Sequence, residues 1–318
     1  MTISRGRKIF QYFLNLFYLY IHIMLDRVQL ATFVAVLDSG GFACAAQALS
    51  ITQSAVTQRI KALEVETGQI LLLRQRPVRP TPAGAVLFRY AKQLELMDQE
   101  LKTTLTSGGS TRAICSIAVN ADSLATWFMD AWERIVRECD ILLQVHVEDQ
   151  EHTARLLADG DVSGAVTGTE VPPRGCAVRR LGIMDYICIA HVDFYERHFS
   201  GKPMNVALRE APAIRFNKKD LIHARFLWKH FRIGPDDIPT HDIPSSERLL
   251  DGVRCGVAYA FVPEIQAREL LDLGVVVDIF PGKRASVPLY WHEWSVGHTS
   301  RQLIGKRVLQ AAKANLRQ

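Results

Sequence analysis

Leu30, Phe33, Val34 and Leu37 recur at i, i+3, i+4 and i+7, the apolar stripe of a helix that buries one face. Asp38-Ser39-Gly40-Gly41 ends it. A second, short helix is predicted from about Ala43 to Leu49, with Gly41 or Phe42 at its entry and alanines that let a neighbouring helix approach. Ser50-Ile51-Thr52 reads as a turn, and Thr52 is placed to cap a third helix. There Val56, Ile60 and Leu63 face inward, while Ser54, Thr57, Gln58 and Lys61 repeat at i, i+3, i+4 and i+7 on the opposite face. Gln53 stands at the exposed N-terminal end of that face. Gly68 stops the helix, Leu71-Leu72-Leu73-Arg74 predicts a short strand, and Arg74 to Pro82 follows as a basic, proline-stiffened loop.

Beyond Ala83-Gly84 the apolar positions Leu87, Tyr90, Leu94, Met97 and Leu101 are spaced 3-4-3-4, a heptad seam for two wound helices, with Asp98 and Lys102 supporting its outer face. A helix packed on its own domain has the same spacing, so both readings stand. Thr106-Ser107-Gly108-Gly109-Ser110 is a flexible joint. After it strands and helices alternate. Strands are expected at Ile114–Val119, Leu142–Val147, Gly164–Thr167, Tyr186–Ala190, Ala213–Phe216, Val257–Phe261 and Leu289–Trp291. Helices are expected at Ser123–Glu138, Thr153–Ala158, Lys219–Phe231, Ser245–Val253 and Arg301–Leu316. Such alternation implies a parallel α/β sheet with ligand sites at strand C-termini.

The first residues break this order. Arg5, Arg7 and Lys8 precede an apolar, aromatic run from Ile9 to Leu25, interrupted by Gln11, Asn15 and His22. Its length is near the lower limit of about 17 residues for a spanning helix, and no small-residue cleavage site follows. Met24 opens a segment suited to the start of a cytoplasmic domain. We expect an over-extended start, with a packed helix and a membrane anchor as the alternatives.

Composition narrows the class without choosing a function. The chain has 318 residues, 48% hydrophobic and 22% charged, which suits two or three globular domains and excludes a disordered chain. A net charge of +5 favours a polyanionic partner only mildly. Cys44, Cys115, Cys139, Cys176, Cys188 and Cys255 are scattered without a CxxC pair, so mostly buried thiols in a reducing compartment are expected. His191/His198 and His223/His230 lie seven apart without acidic or thiolate neighbours, and no metal is expected. GxSxG, P-loop, dinucleotide and zinc signatures are absent from the sequence, so no enzyme is expected.

Two stretches carry chemistry. The polar face of the third helix offers short hydroxyls and amides of the kind that meet base edges in the major groove, with Lys61 in reach of phosphate. An ordinary solvated helix face has the same pattern. Three of the six basic residues between Arg27 and Gly84 (Arg74, Arg76 and Arg79) fall in the loop after it, as phosphate contacts flanking a groove-inserted helix would require. The second stretch is Asn120-Ala121-Asp122-Ser123 at the first strand-to-helix junction. Ser123 suits a helix cap beside an anionic carboxylate, and Asp122, Glu148 and Asp149 would serve a cationic group, together the needs of a basic amino acid. The alternative is plain capping by Asp122 and Ser123, with Glu148 and Asp149 in an exposed loop.

Gly40-x-Phe42-x-x-Ala45-Ala46-x-x-Leu49, Gln53-Ser54-Ala55-Val56-Thr57-x-x-Ile60-x-x-Leu63-Glu64, Gly68-x-x-Leu71-x-x-Arg74 and Thr81-x-x-Gly84 together resemble the winged helix-turn-helix of LysR-type transcriptional regulators. Gly41 and Thr57 stand where that family often has Ser, and Leu72 where it has Phe; all three keep the role. Asn120–Trp127, Val147-Glu148-Asp149, Gly164-Ala165-Val166, Ser245-Ser246-Glu247 and Leu289-Tyr290-Trp291-His292 are similar to the ArgP/LysG subgroup, which senses lysine and arginine.

The resemblance implies an α/β fold with an N-terminal winged helix-turn-helix, a long linker helix and a two-lobed, periplasmic-binding-protein-like effector domain, with crossovers near residues 183 and 285. The expected parts are an N-terminal extension (1–24), a DNA-binding domain (25–84), a dimerisation helix (85–106), lobe I (113–183 and 286–318) and lobe II (184–285). It implies DNA contacts by Gln53, Ser54, Thr57, Gln58, Lys61, Arg74, Arg76 and Arg79, and dimerisation through Leu87, Tyr90, Leu94, Met97 and Leu101. It also implies an effector site at Asn120, Asp122, Ser123, Asp149, Thr167 and Ser245: Ser123 for the carboxylate, Asp122 or Asp149 for ammonium, Thr167 and Ser245 for cleft closure. The expected partners are double-stranded DNA, further copies in a homodimer or homotetramer, RNA polymerase at the promoter and a lysine or arginine effector, with no cofactor and no membrane. The target genes would serve basic amino acid export or metabolism. The rival readings are a nucleoid-type or replication-affecting DNA binder of weak sequence preference, and a solute-binding module without a regulatory role.

Overall fold

The computed structural model describes residues 25–73, 75–105, 113–139, 141–147, 150–295 and 299–318. The expectations for residues 1–24, Arg74, Glu148 and Asp149 therefore lie outside the described residues. The chain divides into two compact units between Asp98 and Gln99.

The first unit holds α1 (Arg27–Asp38), α2 (Phe42–Ala48), α3 (Gln53–Thr67), the two-stranded hairpin β1 (Leu72–Leu73) and β2 (Arg79–Pro80), and the start of α4 (Pro82–Leu105). Local chemistry sets each boundary. The Asp26 carboxylate accepts from the N–H groups of Val28 and Gln29, Thr52 Oγ1 accepts from Ala55 N at 3.2 Å, and Gly68 closes α3 in the left-handed region. Leu30, Phe33, Val34, Val56, Ile60 and Leu63 meet Leu71 and Leu72 in one core. Glu64 joins helix to hairpin, its carboxylate accepting from Leu71 N at 2.8 Å and Leu72 N at 3.4 Å. Thr81 Oγ1 accepts from Gly84 N at 3.0 Å and donates to Ile70 O at 2.7 Å, which draws α4 so close that a Cβ on Gly84 would lie 2.0 Å from Leu71 O.

The second unit contains β3 (Ala113–Val119), α5 (Ala121–Leu124), α6 (Phe128–Cys139), β4 (Ile141–Val147), α7 (Gln150–Asp159), β5 (Gly164–Thr167), β6 (Cys176–His191), α8 (Val192–His198), α9 (Met204–Glu210), β7 (Ala213–Arg215), α10 (Leu221–Phe231), β8 (Thr240–Asp242), α11 (Ser246–Arg254), β9 (Tyr259–Pro263), α12 (Glu264–Asp272), β10 (Val276–Asp278), β11 (Ala285–Trp294) and α13 (Thr299–Asn315). One sheet runs in the order β4-β3-β5-β11-β6-β9-β7-β8, with β10 paired to β6. Helices cover both faces at each end. Ile117, Val119, Val166 and Trp291 pack on Phe128, Ile135, Val308 and Ala312, while Ala118, Ala165 and Trp294 pack on Leu157. At the other end Ala213, Tyr259 and Phe261 pack on Phe226 and Leu227, and Ile187, Ile214 and Val262 pack on Leu249, Val253 and Ala267. Two lobes result, joined by the long antiparallel strands β6 and β11.

Several expectations need correction. The sheet is mixed: β3 with β4 and β5, and β7 with β8 and β9, are parallel, but β6 and β11 run antiparallel to their neighbours because each crosses between lobes. The helix expected from Ser123 to Glu138 is broken after one turn, at Ala125–Trp127. Trp127 there is 1% exposed, and burying it redirects the chain. The expected seam on α4 is split. Leu87 and Leu94 pack on the first unit's own core, and only Tyr90, Met97 and Leu101 are exposed. Asp98 pairs with Arg27 at 2.7 Å, and the side chain of Lys102 lies outside the described residues. The thiols are less buried than expected: Cys188 is buried, Cys44 and Cys255 are exposed, and the other three are intermediate. Among the described residues no single helix is long and apolar enough to cross a membrane.

Two stability predictions follow from this packing. Gly84→Ala drives a methyl into the Leu71 carbonyl and should destabilise the first unit by about 1–3 kcal/mol despite better helix propensity. Hydrogen exchange should quicken across residues 27–84 and stay unchanged across 113–147. His223 lies edge-on to Tyr259 in the lobe II core, and burial lowers its pKa from 6.5 to about 4. The unfolded chain therefore binds the extra proton between those values. Stability is full above pH 6.5 and falls as pH drops toward about 4, by ~3 kcal/mol in all. Denaturation followed by tryptophan fluorescence should show that slope, and His223→Gln should flatten it.

Candidate nucleic-acid interface and effector cleft

The third helix presents its polar face as a wall. Gln53, Ser54, Gln58 and Lys61 are exposed, and Thr57 is half-buried with its hydroxyl donating to Gln53 O at 2.9 Å. Thr52 Oγ1 lies 2.9 Å from Ser54 Oγ, which ties Ser54 to the cap. Facing this wall is the hairpin tip. A concavity of about 540 Å³ lies between them, lined by Gln53 and Thr57 on one side and Gln75, Arg76 and Val78 on the other, with Gly40 to Cys44 as its floor. Gln58 and Lys61 continue the helix face outside the concavity, and Arg79 is exposed on β2. Arg59 is turned away from this surface, donating to Thr32 Oγ1 at 3.3 Å. An exposed row of amides and hydroxyls flanked by Arg76 and Arg79, which have no acidic partner among the described residues, has the donors, acceptors and charge that a DNA groove and its phosphates require. Gln75 and Cys44 were not expected here. Gln75 was legible as the amide between two wing arginines; Cys44 carried no signal beyond its place in the second helix.

The second site lies where both lobes direct strand C-termini. Asp122 in α5 is its centre: Oδ2 accepts from the Tyr186 hydroxyl at 2.7 Å and Oδ1 from Ser246 Oγ at 2.7 Å. Tyr186 belongs to β6 and Ser246 opens α11 of lobe II. Burial first, and the Asp122 carboxylate second, push the Tyr186 hydroxyl well above the ordinary phenol range, so it remains a donor. Asp220 caps α10, accepting from Ile222 N at 3.0 Å. Burial raises its pKa, the Ile222 hydrogen bond opposes this, and Asp122 adds to the rise. Asp220 is thus a desolvated carboxylate with the Asp122 charge near it, an environment that favours a cation.

The expected effector residues divide. Asn120 is the backbone cap of α5, and its Oδ1 is buried without a partner. Ser123 is not the cap expected for it; it sits inside the single turn, 0% exposed, with Oγ unpartnered. One turn of helix carries little dipole, so the carboxylate pocket expected there loses that support. Thr167 is buried, and its Oγ1 accepts from Thr169 N at 3.3 Å. Ser245 caps α11 through Arg248 N, and its neighbour Ser246 makes the contact across the cleft. Tyr186, Asp220 and Ser246 were missed. Tandem serines after a strand were a signal for Ser246, but spacing did not say which of the two faces inward.

Comparison with known proteins identifies the family. Residues 28–85 match the family model described as the bacterial regulatory helix-turn-helix protein, lysR family. The HTH-type transcriptional regulator ArgP of Vibrio vulnificus is 36% identical over 293 residues, covering 92% of this chain and 98% of the relative. The crystal structure of ArgP from Mycobacterium tuberculosis is similar with a TM-score of 0.83 at 38% identity, over 92% of this chain and 99% of that one. Full-length LysG from Corynebacterium glutamicum with bound effector Arg has a TM-score of 0.78 at 34% identity, over 92% and 100%. With a winged reader, a two-lobed α/β domain and relatives spanning nearly their whole length, the chain belongs to the LysR-type transcriptional regulators, DNA-binding proteins of the helix-turn-helix class.

Proposed function

We propose that this regulator reads its promoter through paired winged helices and changes its hold on that promoter when lysine or arginine enters the cleft around Asp122. The observation that carries the effector reading is Asp122 itself. It is a carboxylate held between lobes by two neutral hydroxyls, with no cationic partner among the described residues. Similarity to a regulator with arginine bound supports the same ligand class. Asp122 takes an ammonium or guanidinium group, and Asn120, Ser123, Thr167, Ser245 and Asp149 complete the site.

On the DNA side, Gln53, Ser54, Thr57, Gln58 and Lys61 enter the major groove while Arg74, Arg76 and Arg79 flank it on phosphates. The protein works in the cytoplasm as a homodimer or homotetramer and acts on RNA polymerase at promoters of basic amino acid export or metabolism genes. Tyr90, Met97 and Leu101 supply the exposed apolar positions for pairing through α4. The parts are the reader (25–84), the linker helix (85–106), lobe I (113–183 with 286–318) and lobe II (184–285).

Gel shifts and transcription with lysine and arginine test the whole reading; unchanged behaviour across millimolar ligand overturns the effector assignment. Asp122→Asn should weaken effector binding about 10- to 100-fold by calorimetry, the loss expected for a charge-assisted hydrogen bond of ~1.5–3 kcal/mol. Gln58→Ala or Thr57→Ala should reduce discrimination between operator and random DNA by ~1–3 kcal/mol. Arg76→Ala should weaken both equally and lower the salt slope by about 1. Equal loss on both DNAs for Gln58→Ala would contradict the groove assignment.

A further inference from the structure

Asp122 is anchored on lobe I, and both of its side-chain partners come from the stretch assigned to lobe II: Tyr186 on the shared strand β6 and Ser246 on α11. Ser246, 124 residues later in the chain, is 4% exposed and donates to Oδ1 at 2.7 Å. Its orientation is fixed from two sides. Ser245 caps the same helix through Arg248 N, and Gln266 Nε2 of α12 donates to the Ser246 carbonyl at 3.3 Å. Gln266 Oε1 also lies 3.5 Å from the Ser246 hydroxyl, but a single proton goes to the shorter contact with the carboxylate.

The chemistry of this partner matters. A carboxylate offers about four lone-pair positions. Tyr186 and Ser246 occupy one on each oxygen, which leaves two for a ligand. Both donors are neutral, so they orient the carboxylate without cancelling its charge. A lysine or arginine at position 246 would neutralise Asp122 and repel a cation; an alanine would release Oδ1 and cut the tie between lobes.

We propose that Ser246 is a positioning residue of the effector site: it aims Asp122 at the ligand's cationic group and links lobe II to that carboxylate. This rests on the reading of Asp122 as the cation acceptor. Ser246 therefore makes ligand affinity depend on a lobe II side chain that acts through Asp122.

Calorimetric titration of arginine and lysine into the full-length protein tests this with wild type, Ser246→Ala, Ser246→Thr, Asp122→Asn and the double variant Asp122→Asn/Ser246→Ala. Ser246→Ala should weaken binding about 5- to 20-fold, less than losing a direct hydrogen bond to a charged group because Ser246 acts through Asp122, while Ser246→Thr keeps the hydroxyl and stays within about threefold of wild type. The double variant should bind no more weakly than Asp122→Asn alone, because a residue acting through Asp122 has nothing left to position. Unchanged affinity in Ser246→Ala, or losses that simply add in the double variant, would overturn the proposal while leaving Asp122 as acceptor. Wild type that binds neither amino acid removes the effector reading and this inference with it. If Ser246→Ala does not fold, Ser246→Cys carries the same test, its thiol being a weaker donor of similar size.

Discussion

The antiparallel pairing of β6 with β11 runs from Ala285 opposite Tyr186 to Trp294 opposite Cys176, and both lobes depend on it. Each strand leaves one lobe and enters the other, so the lobes share a continuous sheet. Strand pairing of this length is stiff along its hydrogen bonds, and bending concentrates where the register fails. Here it fails between Leu289 and Tyr290, opposite Gly182, with Leu181 as the extra residue. Gly182 has φ 143, a conformation that L side chains rarely adopt, and a Cβ there would lie 2.9 Å from Arg317 O. The C-terminal residues fill that space. Ile183 bridges Arg317, and the Arg317 guanidinium binds the Asp185 carboxylate at 2.6 and 2.8 Å, holding its pKa below the usual carboxylate range. The irregular point of the bridge is thus braced by the chain's own end.

Tyr186 lies just beyond this point on β6, which explains why it can reach Asp122. A tyrosine on a lobe surface would move with that lobe; one on the shared strand stays in register with both. Its hydroxyl remains a donor because burial and the facing carboxylate both disfavour the phenolate. Asp122 therefore keeps one fixed partner through β6 and one partner, Ser246, that belongs to lobe II alone. The difference between those two bonds gives the cleft a mechanical sense. One reaches the carboxylate from the strand shared by the lobes, the other from a helix of lobe II.

Much of the reader was legible in the sequence because its signals are local. The Thr52 cap, the left-handed Gly68 and the inward Val56, Ile60 and Leu63 each act within a turn or two, and the observed helix Gln53–Thr67 follows them. The effector domain was legible as alternating elements but not as pairings. Only Tyr186–Ala190 stood out as strand, since the first half of β6 includes the charged Arg179-Arg180 and reads as loop; pairing with β11 makes it strand. The surroundings of Leu87 and Leu94 on α4 were not legible, because heptad spacing is the same whether they meet a partner or their own domain, and spacing carries no direction. Ser123 was taken for a cap that Asn120 provides, and Ser246 was missed beside Ser245, for a related reason. Capping rules identify a serine near a helix start, but the one that caps and the one that faces the cleft differ by a single residue, which only three-dimensional register separates.

A ligand shifts a two-state equilibrium only as far as its affinities for the two states differ. A cleft that bound its ligand through one lobe would have no such difference, however tightly it bound. On the proposed reading Asp122 supplies one, because its oxygens are aimed by hydroxyls from β6 and α11 together. A cation at Asp122 then binds best where the carboxylate is already oriented and partly withdrawn from water, since the attraction is larger at low dielectric. Asp220 acts in the same direction. Burial disfavours its charged form, and the Asp122 charge adds to that penalty, so a cation entering the cleft relieves two carboxylates rather than one. On the proposed reading a neutral amino acid of the same length gains neither benefit, and selection for a basic ligand rests on the pair of acids.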